Sequence, residues 1–194
     1  LSSNRRAWFR DQGIEPMKIS FDLDDTLICQ DGTVPREANR VPRLLRRWLP
    51  DPLRQGTVAL LQQLQSAGHE IAIYTTSHRS RFAVRCWLKC YGVRIEQVIN
   101  QATHQRAVSR LSLPMVPTKL PPIFGIDLHI DDLPGVAIEA KQHDFNVLVV
   151  DPNDRQWTTH VLETVAKARA IPVGTSTTAA EARSHESGQT TKLQ

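Results

Sequence analysis

The sequence has 194 residues, 24 of them basic and 20 acidic, with 40% apolar and 23% charged side chains. That composition allows one domain with an ordinary core and excludes a largely disordered chain, a collagen or a disulfide-stapled miniprotein. No apolar run approaches the about 18 residues of a membrane span, and the opening LSSNRRAWFRDQGIEP lacks the apolar stretch of a secretory signal.

The chain alternates between strand and helix patterns. Residues 1–16 show no clean period and are expected to be a poorly ordered extension ahead of a domain running from 17 to 170. A strand is expected at 17–22, ending in a carboxylate cluster. Residues 28–53 form an irregular insert, broken by Pro35, Pro42, Pro50 and Pro52. A helix over 54–67 carries an apolar stripe of Val58, Leu60, Leu61 and Leu64 and stops at Gly68. IAIYTT (71–76) is a nearly continuous apolar run, suited to a strand covered on both faces. A helix at 79–90 is read from Phe82, Val84, Cys86, Trp87, Leu88 and Cys90, followed by a short strand within 93–100 and a helix at 102–110. After a proline-broken loop come a strand near 126–131, a helix at 134–143, a strand at 145–150 and a helix at 155–169. The Ser-, Thr- and Gly-rich stretch 171–194 cannot bury enough surface to offset its ordering entropy and is expected to be a disordered tail.

This alternation predicts an α/β fold, a Rossmann-like open and mainly parallel sheet with helices on both faces. One segment fits less simply. In FGIDLHID the apolar residues alternate with Asp127 and His129, so either the strand starts only near Leu128 or these two side chains satisfy each other.

Charge is distributed unevenly. Residues 36–54 hold six arginines (Arg36, Arg40, Arg43, Arg46, Arg47, Arg54) against Glu37 and Asp51, while the remainder is balanced. A uniformly basic nucleic-acid binder is therefore excluded, and the arginines are either a solvated face or part of a substrate rim. The three cysteines, Cys29, Cys86 and Cys90, form no C-x-x-C; they are read as buried thiols of a protein of the reducing cytoplasm.

Polar groups collect at three strand ends: Asp22-Leu23-Asp24-Asp25-Thr26, Thr75-Thr76-Ser77 and Asp131-Asp132. Ligands of open parallel sheets bind beyond such carboxyl ends. Five carboxylates in one cleft repel unless a cation sits among them, and hard oxygen ligands favour Mg²⁺.

DLDDTL matches the D-x-D-x-T motif of the haloacid-dehalogenase-like (HAD) superfamily. IAIYT with its hydroxyls looks like the second motif of that superfamily, Lys119 in PTKLPP stands for the third and HIDD is similar to the fourth. The resemblance covers about 17–150 and implies a Mg²⁺-dependent phosphatase working through an aspartyl phosphate. It implies Asp22 as nucleophile and Asp24 as general acid and base. It places Mg²⁺ on Asp22, the Asp24 carbonyl and Asp132, with Asp131 as a ligand or a supporting group. Thr75 and Lys119 would contact the phosphoryl group. On the residues alone, Thr76 or Ser77 could take the place of Thr75, and Arg79 and Arg81 lie close enough to that strand end to reach a phosphate, so Thr76, Ser77 and Arg79 are expected to bind the substrate.

Two of these positions stay open on the residues alone. Thr75 could instead cap the next helix. Lys119 lies only twelve residues before the Asp131–Asp132 pair, so it could be a solvated loop lysine. The insert 28–53 is too short for a helical cap domain, which implies a capless or minimally capped enzyme. YTTSHRSRFAVRCWLKCYG and IDDLPG also resemble stretches of the capless phosphatases that act on the RNA-polymerase tail. The expected partner is a phosphorylated small molecule or phosphoprotein, with no membrane and with nucleic acid only as a phosphate-ester substrate. The alternatives are a phosphotransferase, or a non-catalytic phosphate- or partner-binding module on the same scaffold.

Overall fold

The computed structural model describes residues 16–47, 52–111 and 114–170. The expectations for 1–15, for 171–194 and for the middle of the insert at 48–51 lie outside these residues. Five strands form one sheet: β1 (Lys18–Phe21), β2 (Glu70–Tyr74), β3 (Gln97–Ile99), β4 (Leu128–Asp131) and β5 (Val147–Val149). All pairings are parallel, in the order β3-β2-β1-β4-β5. The helices are α1 (Thr57–Ser66), α2 (Arg81–Cys90), α3 (Gln101–Val108), α4 (Pro134–His143) and α5 (Trp157–Ala170). The expected α/β class is what the chain adopts. Among the described residues no helix is long and apolar enough to cross a membrane.

The order has a reason and a consequence. The chain steps outward from β1 to β2 to β3, then returns to β4 and steps outward again to β5. Such a reversal opens a crevice between the two central strands at their carboxyl ends, here β1 and β4. With right-handed crossovers, α1 and α2 cover one face of the sheet and α3 and α4 the other.

The two faces differ in chemistry. Side chains alternate along a strand. Ile19, Phe21, Ile71, Ile73, Leu128 and Ile130 project to one face and pack with Leu60, Leu61, Leu64, Trp87, Leu88 and Val161 in the main core. Their neighbours Ser20, Asp22, Tyr74, His129 and Asp131 are buried on the opposite side. There the apolar cluster is small: Tyr74, Ile99 and Ile126, with Phe124 against them. The alternation in FGIDLHID belongs to this division. The strand starts at Leu128, and Asp127 does not pair with His129; its Oδ2 accepts from the Lys18 amide at 2.6 Å.

Three readings are corrected. In α2 the buried positions are Val84, Trp87 and Leu88, whereas Phe82 is 77% exposed and Cys86 and Cys90 are only half-buried. Val84, Trp87 and Leu88 share one stripe at helical spacing; Phe82 and Cys86 fall on the opposite side. β2 ends at Tyr74 rather than Thr76, because the chain turns once the Thr75 amide has bonded to the Ile99 carbonyl at 2.9 Å.

The third correction is Arg54, which does not belong to the surface arginines. It is 2% exposed, donates from Nη2 to the carbonyls of Asp151 (2.9 Å) and Asp154 (2.6 Å), and lies 4.7 Å over the Trp157 ring. It ties the end of the insert to the start of α5. Arg54→Met keeps the bulk but strands two carbonyls that lose a charged donor, so stability should fall by about 2–4 kcal/mol. Chemical denaturation checks this; a loss below about 0.5 kcal/mol, the range of ordinary surface substitutions, would return Arg54 to the surface set.

Candidate active site

β1 delivers Asp22 to the crevice. The Asp22 amide bonds the Ile130 carbonyl at 2.9 Å, which fixes where the strand ends against β4. Beyond it the chain coils tightly: the amides of Leu27 and Ile28 both donate to the Leu23 carbonyl, and Asp25 takes a left-handed conformation at φ 58°. Aspartate tolerates that region better than most side chains. The coil brings Thr26 to β4's end, where its hydroxyl donates to Asp132 Oδ1 at 3.1 Å.

Lys119 reaches this point from a different direction. Its Nζ donates to Asp22 Oδ1 at 2.6 Å and to the Tyr74 carbonyl at 2.7 Å, and lies 3.2 Å from Asp131 Oδ2. The side chain is 1% exposed, with Nζ 5.1 Å from the Tyr74 ring centroid. The loop that carries it is held at several points. Glu139 on α4 accepts from the Thr118 amide, the Thr118 hydroxyl and the Lys119 amide. The Leu120 amide donates to the Tyr74 hydroxyl at 2.8 Å. That hydroxyl lies 2.5 Å from His104 Nδ1, and His104 Nε2 lies 3.0 Å from the Pro117 carbonyl. A carbonyl only accepts, so Nε2 carries the imidazole proton and the Tyr74 hydroxyl donates to Nδ1. Burial pushes His104 below its ordinary value and favours this neutral ring.

The carboxylates are unequal. Burial pushes the Asp22 carboxyl up to about 6; Lys119 opposes this, while Asp131 and Asp132 add to it. Asp132 is raised too, by burial and then by Asp131. Burial would also raise Asp131, but the His129 N–H, the Lys119 ammonium and the Leu133 amide outweigh it and hold it below the usual carboxylate range. Asp24 is half-buried and bonded to Arg79, Nη1 to Oδ2 at 2.6 Å. Asn100 positions Arg79 by donating to its carbonyl at 3.1 Å.

The second strand end is less uniform. Thr75 is buried, and its hydroxyl accepts from the Ser77 amide at 3.1 Å. It does not cap α2; Ser80 does, accepting from the Ala83 amide. Thr76 is exposed, and Ser77 Oγ is buried without a hydrogen-bond partner. Of the arginines that follow Thr75, Arg79 meets the site, Arg81 is exposed, and Arg85 turns away to the Glu96 carbonyl. The crevice thus gathers Asp22, Asp131, Asp132 and Lys119, with Asp24 and Arg79 paired beside them. Sequence reasoning missed Glu139, Tyr74, His104 and His129, which hold these groups in place. For His129 the signal was its two-residue spacing from Asp131 on one strand face.

Among the described residues no three carboxylate, imidazole or thiol groups come together as a metal cage. Asp131 is spent on three donors. Asp22 and Asp132 remain, both raised by burial and by neighbouring carboxylates, and this pair fits Mg²⁺, which binds through one or two carboxylates and keeps several waters.

No protein-family model matches the chain, and no curated protein sequence matches it. Solved structures are similar at low identity. One is a Pnkp1/Rnl/Hen1 complex, at 14% identity and a TM-score of 0.46, over 72% of this chain and 47% of that one. Another is a predicted HAD-like family hydrolase from Porphyromonas gingivalis, at 12% identity and a TM-score of 0.42, over 77% of this chain and 98% of that one. A third is the HAD domain of effector protein Lem4 from Legionella pneumophila, at 14% identity and a TM-score of 0.46, over 79% and 95%. The parallel sheet ordered β3-β2-β1-β4-β5, with Asp22 and Asp131 at the carboxyl ends of β1 and β4, is the Rossmann-like α/β fold that the alternation of strands and helices predicts.

Proposed function

We propose that the protein is a Mg²⁺-dependent phosphatase that hydrolyses a phosphomonoester in this crevice. The observation that carries the reading is Lys119, an ammonium buried against Asp22 at 2.6 Å at the carboxyl end of the central strand. A carboxylate that must approach a phosphate dianion needs such a fixed positive charge.

In the first step a carboxylate oxygen of Asp22 bonds to phosphorus as the ester P–O bond breaks, and Asp24 gives its proton to the departing oxygen. In the second, Asp24 takes a proton from a water whose oxygen attacks phosphorus. The aspartyl O–P bond breaks, orthophosphate leaves and Asp22 returns to a carboxylate. Lys119 and the Thr75 hydroxyl hold phosphoryl oxygens. Thr76, Ser77 and Arg79 bind the incoming substrate, whose negative charge draws Arg79 off Asp24 and frees Asp24 for proton transfer. Asp22, Asp132 and the Asp24 carbonyl would hold Mg²⁺, which when bound offsets the charge gathered there. Asp131 supports Lys119 and is not needed as a ligand.

In the insert, Ile28, Cys29, Val34, Val41 and Leu53 are buried, which supports reading it as a short segment packed on the domain and not as a cap. An uncapped crevice suits a phosphorylated small molecule or a phosphoprotein. Cytoplasmic action is part of the same reading, supported by three free thiols.

Turnover of an aryl phosphate should require Mg²⁺. Chelation with EDTA should lower it by at least about a hundredfold, and fresh Mg²⁺ should restore it. Turnover indifferent to chelation would overturn the proposal.

A further inference from the structure

His129 stands in the middle of β4, where a strand covered on both faces ordinarily carries an apolar side chain. It is fully buried. An imidazole there is tolerated only if both ring nitrogens are met, and both are. Nδ1 lies 2.8 Å from the hydroxyl of Ser20, its register partner on β1, and Nε2 lies 2.9 Å from Asp131 Oδ2. A carboxylate only accepts, so Nε2 carries the proton. Burial keeps the ring neutral, so Nδ1 accepts from Ser20.

Those assignments fix the direction of a buried chain of hydrogen bonds. Ser20 donates to His129, His129 donates to Asp131, and Lys119 donates to Asp22 from 3.2 Å beside the same Asp131 oxygen. The other Asp131 oxygen accepts from the Leu133 amide at 2.9 Å. With one oxygen tied to the backbone and the other to a ring anchored in the sheet, the Asp131 carboxylate cannot rotate. Lys119 then has two fixed acceptors, on Asp22 and Tyr74, and a fixed counter-charge in Asp131.

We infer that His129, backed by Ser20, is a positioning residue that locks the Asp131 carboxylate and thereby aims the Lys119 ammonium at Asp22. This rests on the phosphatase reading for its kinetic consequence, but not for its geometry. Losing such a supporting donor should lower kcat by on the order of 10–100-fold and leave KM within about twofold, because substrate does not touch His129.

The test uses three replacements in the whole chain. His129→Gln places an amide N–H near the Nε2 position and keeps the donor to Asp131. His129→Asn places its amide near Nδ1, keeps a partner for Ser20 and loses that donor. His129→Leu keeps bulk and loses both. Glutamine should hold kcat within about threefold of wild type, while asparagine and leucine show the full loss. A second readout needs no turnover: the Lys119 ammonium signal in ¹⁵N NMR should be protected from exchange in wild type and His129→Gln and broadened in His129→Asn. If the leucine variant does not fold, the glutamine–asparagine contrast carries the test alone. Asparagine matching glutamine in kcat or in the ammonium signal would overturn the inference, as would leucine matching wild type. An inactive wild type with the expected ammonium contrast would overturn the phosphatase reading and leave the positioning role standing.

Discussion

Lys119→Met should cost about 3–5 kcal/mol of stability and abolish turnover. Removing one partner of a buried ion pair leaves the other charges uncompensated, and that cost exceeds what the pair contributed when intact. Here the loss exposes Asp22 and Asp131 to each other and takes a donor from the Tyr74 carbonyl. Turnover of an aryl phosphate should fall by at least about a hundredfold, the scale of losing one fixed charge aimed at the reacting group. Denaturation with and without Mg²⁺ separates two contributions. Mg²⁺ held as proposed would compensate Asp22 and should recover part of the lost stability, while Asp131 would stay unpaired on that side. A stability change below about 1 kcal/mol, as for an exposed pair, would mean that Lys119 is not the buried counter-charge.

Asp22→Asn should separate activity from stability in opposite directions. The amide cannot attack phosphorus, so turnover should drop at least about a thousandfold, roughly 4 kcal/mol of barrier. The metal-free fold should become more stable. The Asp22 carboxyl is pushed from 3.8 to about 6 in the native state. Such a group binds its proton more tightly folded than unfolded. Its contribution is complete below about 3.8 and is lost as pH rises through about 6, leaving a cost of roughly 3 kcal/mol at pH 7.5. Asparagine resembles the protonated acid and escapes that cost. Denaturation in EDTA at pH 7.5 should show a gain on the order of 1–3 kcal/mol, vanishing near pH 4. A destabilised variant at pH 7.5 would mean that Asp22 gains more from Lys119 than burial takes away.

The parts of the fold that were legible in the sequence are those with a local signal. The apolar run ending in Thr75 marks a strand because burial on both faces requires such a run, and helix ends follow from Gly68 and Gly92. Lys119 was visible as a lysine in a proline-broken loop, but its reach to Asp22 depends on Glu139, Tyr74 and His104, residues distant in sequence that fix that loop. Arg54 was not legible: a buried arginine and a surface arginine look alike until the partner carbonyls of Asp151 and Asp154 are placed. Phe82 marks the helix at 79–90 without marking its buried side, because only the packing of Trp87 and Leu88 decides which side faces the core. His129 was noticed as an irregularity in a strand, and it makes sense only once β4 lies beside β1 and Ser20 comes opposite.

The placement of β1 between β2 and β4 also governs how the protein comes off the ribosome. Ser20 and its partner His129 are 109 residues apart, and Asp22 and Lys119 are 97 apart. At about 5–20 residues per second, synthesis takes roughly 5–20 s to cover that separation. Once β2 has been made, β1 can pair with it but has no neighbour on its other edge until β4 follows, and Ile19 and Phe21 have only half of their eventual sheet. An open apolar edge of this kind invites association between nascent chains. Contacts this distant in sequence are also slow to close. The crevice therefore cannot close until a lysine made nearly a hundred residues after Asp22 has reached it.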